Sequence, residues 1–75
     1  MEYFIVRRGG RHYYESFLKN INIVSWPDDS DFGSFKNAYK FFSLSEARSF
    51  IRIHEGEFQG SVIRTDGGEL YDELY

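Results

Sequence analysis

The chain has no cysteine, one proline, one tryptophan and two histidines. Without cysteine there is no disulfide, no thiolate metal site and no thiol nucleophile. His12 and His54 fall on different predicted elements, and neither sits in a His-Glu-x-x-His or other metal-ligand spacing. The place of His54 in the last turn of a predicted helix is accounted for by the helix dipole. No Gly-x-Ser-x-Gly elbow and no phosphate-binding glycine loop occurs. Apolar runs such as Phe4-Ile5-Val6 and Ile23-Val24 fall far short of the ~20 residues that a spanning helix needs. The start, Met1-Glu2-Tyr3, lacks the basic-then-apolar order of a secretory leader. These absences predict a non-enzymatic, cytoplasmic protein with no cofactor, no resident metal and no membrane partner.

What is abundant is aromatic. Eight Phe, six Tyr and one Trp stand in 75 residues. A chain this short forms one domain, residues 1–75, and buries only about 60% of its unfolded surface. Its core cannot hold fifteen rings. Some rings are expected at the surface, where Tyr and Trp anchor interfaces. Others serve cross-strand packing in a small sheet.

Charge is uneven. Residues 1–20 carry a net +2, residues 21–50 a net −1 and residues 51–75 a net −4, for −3 in all. An acidic C-terminal third opposes nonspecific nucleic-acid binding through that face and suits a basic partner.

The most legible stretch runs from Phe42 to Gly56. Ser43 with Glu46 three residues on reads as a capping box. Phe42 and Ala47 stand at the positions of a hydrophobic staple. Leu44, Ala47, Phe50, Ile51 and His54 recur on one helical stripe, and Gly56 is placed to end the helix in the left-handed conformation. A helix of about three turns cannot bury its apolar face alone, so the rest of the chain must supply a sheet.

Strand signals surround it. Tyr3–Arg8 and Arg11–Leu18 flank Gly9-Gly10, which predicts a two-residue hairpin pairing Arg8 with Arg11, Val6 with Tyr13 and Phe4 with Glu15. Both faces of that hairpin carry apolar residues. Lys19-Asn20 reads as a turn and residues 21–26 as a third strand, closed by Pro27. Residues 28–34 read as an acidic loop. Residues 35–42 read as a strand leading into the helix cap, Ser61–Thr65 as a closing strand and Asp66-Gly67-Gly68 as a turn. The tail from Glu69 repeats Glu-Leu-Tyr at a spacing of four and suits either a short helix or a last strand. The predicted class is α+β: a small antiparallel sheet of three to five strands with one helix packed on one face.

Three sets of residues carry binding hypotheses. Trp26, Tyr71 and Tyr75, with Asp28, Asp29, Asp31, Glu69, Asp72 and Glu73, form an aromatic and acidic set suited to a protein with a basic surface. With Glu55, Glu57 and Asp66, the same carboxylates can stand in for nucleic-acid phosphates in an enzyme's basic groove. Arg7, Arg8 and Arg11, beside Tyr13 and Tyr14 at the hairpin tip, form a second set suited to nucleic acid. Self-association that covers the surplus rings is the third reading. The acidic loop lacks the full calcium-loop pattern. Asp31-Phe32-Gly33 matches the kinase magnesium tripeptide without any other kinase element.

Tyr3–Val6, the run Ala38-Tyr39-Lys40-Phe41-Phe42-Ser43-Leu44-Ser45-Glu46-Ala47 and Gly60-Ser61-Val62-Ile63-Arg64 follow the order hairpin, strand, Ser-x-x-Glu-Ala helix, closing strand. That order resembles small phage-encoded accessory proteins, among them an inhibitor of host RNA polymerase and some anti-CRISPR proteins. The resemblance is architectural and transfers no site residue. It implies a non-enzymatic cytoplasmic inhibitor that occludes a functional surface of a host protein or complex.

Overall fold

A computed structural model describes residues 1–9, 16–22, 29–56 and 59–73, with residues 29 and 70–73 described through their backbone. Among these residues the chain forms β1 (Tyr3–Arg8), β2 (Phe17–Leu18), β3 (Phe32–Gly33), α1 (Leu44–Ile53), β4 (Gly60–Thr65) and β5 (Leu70–Glu73). The strands make one antiparallel sheet in the order β3-β2-β1-β4-β5. The fold is therefore α+β, a small antiparallel sheet with a single described helix.

β1 lies at the centre because it is apolar on both faces. Its ladder with β4 is in register from Tyr3 opposite Thr65 to Arg8 opposite Gly60. On one face Val6 and Val62 join Leu18, Phe32, Phe41 and the helix residues Ala47 and Ile51. On the other, Ile5, Phe17 and Ile63 pack with Ala38 and draw in Tyr3 and Phe35. The helix covers the first face, and the irregular segment from Phe35 to Ala38 lies against the second. Burying each such aliphatic side chain contributes about 1.5–3 kcal/mol.

The helix follows its local signals. Ser43 is the N-cap, and its hydroxyl accepts from the Glu46 amide at 3.4 Å. Every residue of the predicted stripe is buried or half-buried. The stop differs from expectation: Gly56 keeps clear of positive φ, and among the described residues only Gly67 adopts it. His54 ends the helix instead, donating its amide to the Phe50 carbonyl, while the Glu55 amide bonds that of Arg52.

Four strand expectations are corrected. The register differs from that of a two-residue hairpin: Arg7 faces Phe17 and the Arg8 amide donates to the Ser16 carbonyl at 2.8 Å, while residues 10–15 lie outside the described set. The tight pairing of Arg8 with Arg11 is excluded by that register. Ile21 and Asn22 belong to no strand, and residues 23–26 lie outside the described set. The acidic stretch is not all loop. Asp29–Asp31 is a 3₁₀ turn and Phe32–Gly33 is β3, because Phe32 enters the core opposite Leu18. Residues 35–42 are not a strand. Phe35–Asn37 is a 3₁₀ turn, and only Phe41 pairs, making a two-way bridge with Phe4 at 2.7 and 2.8 Å. This bridge occupies the side of β1 that the two-residue β2 leaves open. The tail, open between helix and strand, pairs as β5 through Leu70 opposite Thr65 and Glu73 opposite Ile63, with a register shift between them.

Candidate protein-interaction surface

With both sheet faces covered, several large apolar side chains remain outside. Ile53 is 74% exposed, Phe42 64% and Tyr39 38%. Each has a local cause. Ile53 falls off the helix stripe and next to Phe50, one turn back. Tyr39 and Phe42 flank Phe41, and the Phe4–Phe41 bridge sends Phe41 into the core.

The rings around these exposed side chains form two groups among the described residues. One is a row in which Tyr39 meets Phe41 at 4.9 Å, Phe41 meets Phe50 at 5.9 Å and Phe50 meets His54 at 4.5 Å between centroids. The row climbs from the core to the surface along one flank of α1, and Ile53 extends it. The other group is Phe42 against Tyr3 at 6.3 Å, with the Lys40 ammonium 5.2 Å from the Tyr3 ring. Arg64 and Glu2 close this end with an ion pair at 2.6 Å.

The opposite flank of α1 is polar. Leu44, Ser45, Arg48, Ser49 and Arg52 line an open groove of about 660 Å³. Ser45, Arg48, Ser49 and Arg52 recur at three- and four-residue intervals, so a single stripe carries two hydroxyls and two guanidinium groups. The Phe50 flank leans on Phe41, which sits on the β2 side of β1.

The predicted sets fare unequally. Trp26, Asp28, Tyr75, Arg11, Tyr13 and Tyr14 lie outside the described residues. The backbone places Tyr71, Asp72 and Glu73 on β5. Glu69 is exposed in the turn that leads there. Asp29 and Asp31 sit in the first 3₁₀ turn, and Asp31 is tied inward: the Asn20 side chain donates to its carboxylate at 3.0 Å and the Lys19 amide to its carbonyl at 2.9 Å. Arg7 and Arg8 are not one patch, because consecutive strand residues point to opposite faces. Arg8 is only 6% exposed, with its guanidinium carbon 3.9 Å from the centre of the Phe32 ring. It packs as part of the core edge and offers a phosphate little. Tyr39, Phe42, Ile53 and the Ser/Arg groove were missed. Ile53 was findable, as the one large apolar residue off the helix stripe.

The turn from Thr65 to Glu69 is closely built. The Asp66 carboxylate accepts from the amides of Gly68 at 2.8 Å and Glu69 at 3.1 Å. The buried Thr65 hydroxyl donates to the Glu69 carbonyl and accepts from the Gly67 amide. Among the described residues no three histidine or carboxylate side chains converge as metal ligands, and no helix is long and apolar enough to cross a membrane.

No protein-family model, curated protein or solved structure matches this chain.

Proposed function

We propose that this chain is a non-enzymatic protein-binding module, working in the cytoplasm, whose contact surface is built on the exposed side chains of Tyr39, Phe42 and Ile53. The observation that carries the reading is the exposure of Phe42 and Ile53, at 64% and 74%, on a domain whose sheet is already covered on both faces. Neither side chain is needed to fill the core, and desolvated aromatic and aliphatic anchors are what protein interfaces use for affinity. The carboxylates at positions 28, 29, 31, 69, 72 and 73 steer the approach to a basic surface and raise the association rate at low salt. Occlusion of a host protein's functional surface, the mode implied by the likeness to phage inhibitors, is the form of binding this reading favours.

The test is affinity capture from source-cell lysate by tagged chain, with and without nuclease, followed by mass spectrometry. A stoichiometric protein that survives nuclease and is lost with Phe42→Ser or Ile53→Ser is the expected result. Recovery that collapses on nuclease treatment, or is unchanged by both substitutions, counts against it.

A further inference from the structure

Asp66-Gly67 is the only place in the sequence where Asp or Asn precedes Gly. Such a pair carries a reaction of its own. A glycine has no side chain beside its amide, so the carboxyl group of a preceding Asp meets the nitrogen at low steric cost. The Gly67 nitrogen attacks the Asp66 carboxyl carbon. A new N–Cγ bond closes a five-membered succinimide, the C–OH bond breaks, and water leaves with the amide proton. Water then adds to one of the two ring carbonyls. Addition at Cγ restores aspartate. Addition at the main-chain carbonyl carbon breaks the original peptide bond, and the chain then runs through the side chain as isoaspartate, at unchanged mass. Solvent water is the one co-reactant.

The turn is exposed from Asp66 to Glu69, so water reaches it. Its hydrogen bonds oppose the attack. The Asp66 Oδ1 accepts from the amides of Gly68 at 2.8 Å and Glu69 at 3.1 Å, which holds the carboxylate over residues 68–69, whereas ring closure needs its carbon turned onto the Gly67 nitrogen. The Gly67 N–H, whose proton must leave, is donated to the Thr65 hydroxyl at 3.0 Å. That side chain is buried, and its hydroxyl donates in turn to the Glu69 carbonyl. Thr65 also pairs with Leu70 where β4 and β5 meet. We infer that Asp66–Gly67 is a latent isoaspartate site, kept closed by the Thr65 hydroxyl while β5 is paired and reactive when β5 lifts from β4. β5 is four residues long and stands last in the described sheet order, where local opening costs less than global unfolding. Isoaspartate adds one atom to the main chain inside this short turn, and the Thr65–Leu70 register cannot then be kept together with the Asp66 hydrogen bonds. Transient openings of β5 are thereby recorded as a lasting change.

Ageing of the full chain in neutral buffer, with and without guanidinium chloride, followed by peptide mapping for isoaspartate at position 66, tests this. The native chain should convert at least about tenfold more slowly than the unfolded one. Thr65→Val removes the hydroxyl at nearly constant shape and should speed native conversion by about tenfold, whereas Thr65→Ser should age like wild type. Ile51→Val weakens the helix-side core without touching the turn and should leave the rate unchanged, because the site opens locally. Hydrogen exchange of the Gly67 amide in wild type should be slowed by the same factor as conversion, and this readout holds even where Thr65→Val does not fold. A native chain that converts as fast as the unfolded one overturns the inference, as does an unfolded chain that stays unmodified at Asp66. So does a folded Thr65→Val chain that ages like wild type, an Ile51→Val chain that accelerates as much, or a Gly67 amide that exchanges as in the unfolded chain.

Discussion

Gly67 and Gly56 make opposite use of the missing side chain. Gly67 has φ of 95°, and a Cβ there would stand 3.1 Å from the Tyr3 hydroxyl. Gly67→Ala should therefore cost about 1–2 kcal/mol, from left-handed strain and from displacing Tyr3. At Gly56 φ is not positive and a Cβ meets nothing within 4 Å. Gly56→Ala should leave the fold intact and stabilise it by about 0.4–1 kcal/mol, through the unfolded chain. Urea titration of the two variants checks both signs; equal destabilisation would refute the assignment. The glycine signal in the sequence was right in kind at Asp66-Gly67-Gly68 and wrong at Gly56. The turn is dictated by its own residues, whereas a helix stop is also set by where packing ends. Arg8 shows the same limit: its burial depends on Phe32, 24 residues on, and nothing near Arg8 announces that ring.

Among the elements, α1 was the most legible, because its cap, stripe and length are all local. Ser43→Ala removes the acceptor for the Glu46 amide and should cost about 1 kcal/mol. Thermal melts check this, and a substitution without effect would mean that the cap contributes nothing. β2 and β3 could not be read, since each is two residues long and exists because Phe17, Leu18 and Phe32 are buried. Phe17, fully buried between Ile5 and the Phe35 ring, marks the second sheet face. Phe17→Ala should cost about 3–5 kcal/mol, enough to unfold much of so small a domain. A Phe17→Ala chain that melts like wild type would show that the second face is not a core. The exposed set of Tyr39, Phe42 and Ile53 was hidden for the same reason that β3 was. Which rings are left over depends on which ones the core takes.

At the scale of the molecule, core and surface rings predict separable phenotypes. Phe42→Ser and Ile53→Ser should change stability by no more than about 0.5 kcal/mol each, as exposed positions do. If either unfolds the protein, its side chain belongs to the core and the interface reading loses its main support. The sheet order has a further consequence, in time. β1 is made first, yet the strand that completes its ladder is β4, with Tyr3 opposite Thr65 and Arg8 opposite Gly60. On a ribosome, Ile5 and Val6 emerge and wait for more than fifty further residues before their partners exist. Pairing across so long a loop is slow, with refolding expected in about milliseconds to seconds. Nascent chains of this protein should therefore stay protease-sensitive until β4 has left the exit tunnel, and then become resistant in one step.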